Sequence, residues 1–244
     1  MRVPTVIFLG DGMADEPIPE LGNRTPLQVA RTPAMDSIAR DGQCGTLLTL
    51  PEGFPTSSEV ANMSVLGCDL ATEYSGRGPL EAAGRNIVLD PNDKAFRLNL
   101  VTQQKGILRD YSADHVPQDE AAELIMLLND AFGSPIVRMY TGVSYRNILV
   151  LSGADFSKDV ATEKPDDNQD EKIADHLPKA KTPAGESTAA FLRQMITEAP
   201  KIMQKSATNW RRSKEGRPLV NGIWPWSGGT AGAMTPLADK FGIT

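Results

Sequence analysis

Short apolar runs alternate with one amphipathic stretch in the first fifty residues. Residues 6–9 are a run of four apolar side chains ahead of a glycine, which predicts a buried strand. Thr32 and Pro33 have the N-cap and first-position chemistry of a helix, and Gly42 is a natural end for it. Residues 45–50 resemble a second strand. This order of strand, helix and strand predicts an α/β fold with a parallel sheet covered by helices.

A second helix is predicted in residues 55–69, PTSSEVANMSVLGCD. Thr56 and Glu59 match the spacing of a capping box, so we expect the helix to begin at Thr56 and to end at Gly67. Ser58 then lies in the first turn, where unpaired backbone N–H groups and the helix dipole favour an anion. A hydroxyl in this position can accept a phosphoryl group, although a capped helix without any chemistry explains the same pattern.

Beyond residue 89 the pattern changes to mixed strands and helices. A turn cluster at residues 89–93 marks a boundary. We therefore expect a first core segment at residues 1–89, an inserted α+β cap at 90–218 and a segment at 219–244 that returns to the core. An acidic stretch at residues 163–175 is interpreted as a solvated loop. The elements predicted in the cap are strands at 96–101, 106–108, 136–140 and 146–151, and helices at 118–132 and 186–205.

The composition excludes several classes of partner. The 244 residues include 25 basic and 31 acidic side chains, and the net charge of -6 argues against binding to nucleic acid or anionic membranes. No run of eighteen apolar residues and no signal-peptide pattern is present. Cys44 and Cys68 lack the spacing of a disulfide framework or a zinc site. We expect a cytoplasmic protein with no nucleic-acid or membrane partner.

Two charged residues stand out as candidates for chemistry. Asp11 lies in a Gly-Asp-Gly sequence at the end of the first predicted strand, where open α/β sheets hold their ligands, although an aspartate there can also simply shape a turn. Arg77 lies between two glycines, and its guanidinium can bind a phosphate or a carboxylate in a bidentate manner. A surface arginine in a turn is the alternative.

Three motifs in order carry a family resemblance: GDGMADEPIPELGNRTPLQVA, SSEVANMSVLGCD and YSGRGPLEAAG. Together they resemble the cofactor-independent phosphoglycerate mutases of the archaeal type, within the alkaline phosphatase superfamily. The resemblance implies an alkaline phosphatase-like core interrupted by a cap domain. It also implies that Asp11 binds a catalytic metal, and that Ser58 is both the phosphorylated nucleophile and a metal ligand.

A metal agrees with the chemistry of serine, whose hydroxyl needs a base or a cation to become a nucleophile at neutral pH. The two histidines, His115 and His176, are far from Ser58 in sequence, so a Ser-His-Asp triad stays open but nothing favours it. The resemblance implies substrate contacts from Arg77, His115, Arg146 and Arg212. His115 follows Asp114 where the family segment usually has glycine, and a hydrogen-bonded loop histidine is the alternative. Arg212 can equally belong to a solvated basic pair.

The sequence WPWS at residues 224–227 is typical of a branch of the superfamily that is proposed to phosphorylate homoserine. Core packing also explains its tryptophans. We expect metal-dependent interconversion of 3-phosphoglycerate and 2-phosphoglycerate, a small phosphorylated substrate, through phosphoserine. A homoserine kinase-type phosphotransferase is the alternative, although no Walker A loop is present to hold a nucleotide. A non-catalytic binding domain that keeps the fold is the third possibility.

The metal site implied by the resemblance is incomplete in this sequence. Family members carry further Asp and His ligands in later motifs that are absent here, so Asp11 and Ser58 supply at most two protein ligands. We expect Mn²⁺, with Mg²⁺ or Zn²⁺ as alternatives, and remaining ligands outside this chain. The sequence is therefore interpreted as an N-terminal portion that is inactive alone. Its uncovered surface would favour self-association, unless a missing C-terminal half covers it.

Overall fold

Helices and strands are well defined in the computed structural model, which describes residues 6–232 and 234–242. The chain divides into two units, one up to Leu48 and one from Thr49 onward, and each is described by itself. The helices are α1 (Pro26–Val29), α2 (Pro33–Asp41), α3 (Ser58–Val65), α4 (Leu70–Glu73), α5 (Arg77–Ala83), α6 (Gln118–Phe132), α7 (Glu186–Met203), α8 (Ala207–Lys214) and α9 (Leu237–Phe241). The strands are β1 (Lys94–Gln104), β2 (Ile107–Asp110), β3 (Val137–Val143), β4 (Arg146–Leu151), β5 (Val160–Ala161), β6 (Lys179–Ala180) and β7 (Gly222–Thr230). Single 3-10 turns lie at Pro19–Leu21, Pro165–Asn168, Ile173–His176 and Pro183–Gly185.

The helix predicted in the first unit is confirmed. Helix α2 has Pro33 in its first turn and ends at Gly42, as the local signals require. The Thr32 hydroxyl does not cap the backbone, however, and donates instead to the Asp36 carboxylate at 3.0 Å. Helix signals of this kind are confined to a few adjacent residues, so they can predict a helix without knowledge of the rest of the fold.

The strands predicted at residues 6–9 and 45–50 are wrong. Both segments have irregular backbone, and their apolar side chains are exposed, with Phe8 at 88 % and Leu48 at 74 %. A strand requires a hydrogen-bonded neighbour, whereas an apolar run shows only that a segment has side chains suited to burial. Among residues 6–232 and 234–242 neither segment has a partner strand, and the predicted parallel sheet of an alkaline phosphatase-like core is not found there.

The second unit is mixed α/β, and its main sheet is antiparallel. Strand β1 pairs with β4 along residues 94–99, with β7 along residues 94–101 and with β2 near its end, while β3 pairs with β4. The strands predicted in this region, together with helices α6 and α7, are confirmed with small shifts at their ends. Strand β7, which we expected to return to the core segment, lies in the same sheet as the strands predicted for the cap. The boundaries at residues 89/90 and 218/219 stay a prediction.

The two faces of β1 have opposite character. Phe96, Leu98 and Leu100 project into the main hydrophobic core, which α6 and α7 also line. Arg97 and Asn99 alternate with them and therefore project to the other face, where α5 packs. Antiparallel sheets commonly bury one face in a core and leave the other polar. This polar face positions the candidate site described next.

No helix among the described residues is both long enough and apolar enough to cross a membrane.

Candidate active-site cleft

Helix α3 carries Ser58 at its first position, so the predicted placement in the first turn is confirmed. The predicted capping box is wrong, since Ser57 and not Thr56 is the N-cap residue and no side chain caps the helix. The Glu59 carboxylate instead accepts a hydrogen bond from Arg77 Nη1 at 3.4 Å. A guanidinium is a stronger partner for a carboxylate than a backbone N–H, and sequence spacing alone does not reveal it. Ser58 itself is exposed.

Arg77 is fixed by close packing of α5 on the sheet. A Cβ on Gly78 would lie 2.3 Å from the Ala95 carbonyl oxygen, and Gly76 has a φ of 127° beside the Gly228 carbonyl. The glycines thus bring the helix against the backbone of β1 and β7. The Arg77 N–H donates to Ser227 Oγ at 3.0 Å, which ties the start of α5 to the end of β7.

Four cationic side chains surround one cleft of about 210 Å³ on this face of the sheet, which we call the cation cleft. Only one carboxylate lines it, that of Asp166. A second cleft of about 390 Å³ shares Arg77, Lys164 and Trp226 with it and reaches the N-terminus of α3 at Thr56 and Ser57. The residues that line the cation cleft are Arg77, Arg97, Asn99, Tyr111, Tyr145, Arg146, Lys164, Asp166 and Trp226.

Arg97 is the deepest cation of the cleft, and its residue is only 3 % exposed. Its Nη1 donates to Glu81 at 2.6 Å, and Arg77 Nε donates to the same carboxylate oxygen at 3.0 Å. Burial, against the opposing effect of Glu81 and with smaller contributions from Arg77 and Arg146, lowers the pKa of Arg97 to about 10. Like charges held close together in this way would be stabilised by a bound anion.

Arg146 is held at the rim of the cleft by Tyr145. Its guanidinium lies 5.1 Å from the centre of the tyrosine ring, and its Nη2 donates to the phenol oxygen at 3.1 Å. In the part of the chain that the structure describes, no carboxylate lies within ion-pair distance of Arg146. Arg146 therefore keeps its hydrogen-bonding capacity for a ligand.

His115 lies beside the cleft on a strained turn. Its ring contacts the edge of Tyr145, with 5.7 Å between centroids. Ala113, Asp114 and His115 have consecutive φ values of 50°, 58° and 46°, a left-handed conformation that is costly for side chains with a Cβ. This geometry agrees with the glycine that the resemblance gives for position 114, since glycine adopts it without strain.

The Asp110 carboxylate holds that turn in place. It accepts hydrogen bonds from the Ser112 backbone and hydroxyl, both at 2.7 Å, and from the Asp114 backbone at 2.5 Å. Burial raises the pKa of Asp110, but these hydrogen bonds outweigh it and bring the pKa below its usual value. Strain that is maintained by specific bonds is common where a side chain has to be presented to a ligand.

Arg212 does not line the cation cleft, and neither does Ser58. Arg212 is fully buried on α8, where Nη1 donates to Glu120 and Nε donates to the Pro218 carbonyl oxygen, each at 2.6 Å. Arg211 is exposed because consecutive helical residues point about 100° apart. The two arginines are thus not a solvated pair. Arg212 Nη2 points to Asp114 at 3.6 Å without a hydrogen-bond partner among the described residues.

The loop that brings Lys164 to the cleft is not the freely solvated segment we expected. His176 lies between the carboxylates of Glu163 and Glu171, with each ring nitrogen 2.6 Å from an oxygen. The indole N–H of Trp224 donates to the Glu163 carbonyl oxygen at 2.8 Å. Hydrogen bonding to Glu163, and then to Glu171, raises the pKa of His176 above its usual value despite partial burial. Lys164 itself pairs with Asp166 at 2.6 Å.

Asp11 lies in an exposed turn of the first unit. Its carboxylate and the Ser58 hydroxyl are oxygen donors of the kind that Mn²⁺ and Mg²⁺ accept. The described residues contain no group of three or more His, Cys, Asp or Glu side chains that could hold a metal ion. These residues by themselves therefore do not form the implied metal centre.

Sequence reasoning missed Arg97, Asn99 and Lys164, although two of them left a signal. Arg97 and Asn99 are polar residues at alternate positions inside the apolar run of β1, a pattern that places both on one face of a strand. Lys164 has no such signal, because an irregular loop brings it to the cleft.

Comparison with known proteins gives one consistent family. The family model for 2,3-bisphosphoglycerate-independent phosphoglycerate mutase matches residues 39–209. The mutase of Methanosarcina mazei is 44% identical over 97% of this chain, and that of Methanothrix thermoacetophila is 43% identical over 98%. A solved cofactor-independent phosphoglycerate mutase from Thermoplasma acidophilum is 30% identical, with a TM-score of 0.59 over 94% of this chain.

The chain spans 58% of the length of these two relatives and 60% of the solved chain. The relatives give no support to the homoserine kinase alternative. Both the family model, which matches most of the chain, and the relatives agree with the three motifs noted in the sequence. The chain belongs to the 2,3-bisphosphoglycerate-independent phosphoglycerate mutase family.

Proposed function

We propose that this chain supplies the nucleophile and the substrate cleft of an enzyme that interconverts 3-phosphoglycerate and 2-phosphoglycerate. The observation that carries the proposal is the clustering of four cations in the cation cleft, Arg77, Arg97, Arg146 and Lys164. Among the described residues Asp166 is the one carboxylate on its walls, while Glu81 pairs with Arg77 and Arg97 beside it. Phosphoglycerate has a phosphate and a carboxylate on a three-carbon frame. Several guanidinium groups around one small cleft suit a ligand with two anionic ends.

Ser58 is the proposed nucleophile. In the forward direction its Oγ forms a bond to phosphorus, the bond from phosphorus to the 3-oxygen of the substrate breaks, and the serine proton ends on that oxygen. Glycerate then turns in the cleft, its 2-hydroxyl attacks the phosphoserine, and 2-phosphoglycerate leaves as the serine regains a proton. The N-terminal position of Ser58 on α3 supports this role, because backbone N–H groups and the helix dipole stabilise phosphoryl oxygens there.

The other residues are proposed to hold the ligand. Arg77 and Arg146 lie on the cleft walls and would bind the phosphate and the carboxylate, and His115 would contact the ligand from the strained turn. Arg212 is buried in the fold, so we do not give it a direct contact.

Asp11 and Ser58 are kept as proposed oxygen donors to a divalent cation, with Mn²⁺ favoured. When bound, such an ion supplies charge neutralisation to the transferring phosphoryl group. The described residues do not complete a site for this ion. The remaining ligands are expected in the part of the relatives' length that this chain does not span.

Isothermal titration of the chain with 3-phosphoglycerate, inorganic phosphate, homoserine and ATP tests the proposal. We expect 3-phosphoglycerate to bind more tightly than phosphate, and Arg146→Ala to weaken it by about tenfold or more, since a charged hydrogen bond is lost. Arg211→Ala is the matched control, because Arg211 is exposed and pairs with Glu123 away from the cleft. Equal binding of phosphate and 3-phosphoglycerate would contradict the proposal. Preferential binding of homoserine or ATP would favour the kinase alternative.

A further inference from the structure

We infer that Trp226 is a positioning residue of the cation cleft, whose ring holds the guanidinium groups of Arg77 and Arg97 in the arrangement that binds the anion. The inference rests on the proposed function, since it concerns the same cleft. Trp226 lies on β7 and is only 7 % exposed, so a role in core packing alone is the competing explanation.

The Trp226 ring contacts two guanidinium groups. Arg97 is the direct cross-strand partner of Trp226, and its Cζ lies 5.1 Å from the ring centroid. Arg77 comes from α5, and its Cζ lies 5.7 Å from the same ring. Both distances are within the range of cation–π attraction, which grows when the cation is removed from water. One side chain therefore contacts arginines from two different elements of the fold.

The indole N–H adds a second constraint. It donates to Asn99 Oδ1 at 3.0 Å, and the same oxygen accepts a hydrogen bond from Arg97 Nε at 3.3 Å. Asn99 Nδ2 in turn donates to the Tyr111 carbonyl oxygen at 3.1 Å. With these three bonds the Asn99 amide has one favourable orientation, and it holds Arg97 through Nε while Glu81 binds Nη1.

The charges explain why such support is needed. Arg77 and Arg97 both donate to one oxygen of Glu81, so they are close enough to repel each other. The Arg77 side chain is 27% exposed and has only a longer 3.4 Å contact to Glu59 besides. Without an attractive surface beneath it, Arg77 would move towards water when no ligand is bound. The ring keeps it over the cleft, so the anion meets a preformed site.

The chain provides a matched control for this test. Trp210 is 65% exposed on α8, and its ring also has a cation above it, with Lys214 Nζ 5.8 Å from the centroid. Neither Trp210 nor Lys214 lines the cation cleft. Replacing Trp210 thus removes a tryptophan and a cation–π contact without touching the cleft.

The experiment compares Trp226→Leu, Trp226→Phe and Trp210→Leu by isothermal titration with inorganic phosphate and with 3-phosphoglycerate, after each variant is shown to be folded by circular dichroism. We expect Trp226→Leu to weaken both ligands by about tenfold or more, because two cation–π contacts are lost. Trp226→Phe keeps a ring face and should restore binding to within about threefold of the parent chain. Trp210→Leu should bind like the parent chain.

The inference would be overturned if Trp226→Leu folds and binds both ligands with the affinity of the parent chain. It would also be overturned if the parent chain binds neither phosphate nor 3-phosphoglycerate. If Trp226→Leu does not fold, fluorinated tryptophan is incorporated instead at position 226 alone by stop-codon suppression, so that Trp210 and Trp224 stay unlabelled. Fluorine withdraws negative potential from the ring face at nearly constant size, so affinity should fall with each added fluorine. Constant affinity in that series would overturn the inference.

Failure of the proposed function gives a different result, in which the parent chain does not prefer 3-phosphoglycerate to phosphate but the Trp226 variants still lose affinity.

Discussion

Arginines are arranged in two contrasting ways in the second unit. In the Glu120 cluster, formed by Glu120, Arg212 and Arg217, one buried carboxylate accepts hydrogen bonds of 2.6 to 3.2 Å from both cations. In the cation cleft, Arg77 and Arg97 share a single oxygen of Glu81, and Arg146 has no carboxylate partner among the described residues. The arginines of the Glu120 cluster use their hydrogen-bonding capacity within the fold, whereas those of the cation cleft keep it for an external anion.

The contrast shows that burial alone does not identify a binding arginine. Arg97 and Arg212 are both almost completely buried, at 3 % and 0 % exposure. They differ in what surrounds them, since Arg97 shares its carboxylate, Glu81, with another arginine and faces further cations across a cleft. Arg212 instead faces a carboxylate and a backbone carbonyl inside the fold. Substitutions in the two regions should therefore separate stability from affinity.

The largest expected effect is on stability in the Glu120 cluster. Arg212→Ala leaves the buried Glu120 with only Arg217, and we expect the free energy of unfolding to fall by about 3–5 kcal/mol, as for a broken buried ion pair. Urea denaturation measures this. The neighbouring Arg211→Ala, which removes an exposed ion pair, should cost less than about 1 kcal/mol. If Arg212→Ala lowers the free energy of unfolding by less than about 1 kcal/mol, the proposed contrast between the Glu120 cluster and the cation cleft is wrong.

The next effect is the converse one, on affinity in the cleft. Arg97→Met keeps most of the volume and leaves Glu81 paired with Arg77, so the free energy of unfolding should change by about 1 kcal/mol or less. Binding of 3-phosphoglycerate should weaken by about 1.5–3 kcal/mol, because a charge-assisted hydrogen bond is lost. Titration calorimetry and urea denaturation of the same variant give both numbers. The prediction is wrong if the variant is strongly destabilised while its affinity is preserved.

The smallest effect concerns the His176 clamp, which fixes the loop that carries Lys164. The pKa of His176 is raised in the folded chain, so its contribution to stability is fully present below the unfolded pKa of about 6.5 and disappears as pH rises through the folded value. The difference in unfolding free energy between the parent chain and His176→Gln should therefore be largest at acidic pH. It should be on the order of 1 kcal/mol, since Glu163 and Glu171 are half exposed. A difference that grows from pH 6 to pH 9 would have the wrong sign.

Local signals in the sequence predicted much of this fold and only part of the site. Helices α2 and α6 were predicted from caps and apolar periodicity within the segment itself. The strands at residues 6–9 and 45–50 failed because strand formation depends on a partner elsewhere in the chain, which an apolar run does not specify. For the same reason the predicted parallel sheet is not found among the residues that the structure describes.

The site residues that were predicted and those that were missed differ for the same reason. Arg77 and Arg146 were found through their motifs, and the structure brings both to one cleft. Arg212 was assigned to the ligand from its position near the end of the predicted cap, but the rotation of α8 turns it into the core. Lys164 escaped prediction because its place depends on the His176 clamp and on Trp224, contacts between residues that are distant in sequence.

The central claim is that the cation cleft, and not the Glu120 cluster, binds phosphoglycerate. A crystal structure of the chain with 3-phosphoglycerate tests this most directly. We expect the phosphate or the carboxylate to lie about 3 Å from the guanidinium groups of Arg97 and Arg146, with Arg212 still bonded to Glu120. A ligand bound elsewhere, or an empty cleft at a ligand concentration that saturates binding in solution, would contradict the account.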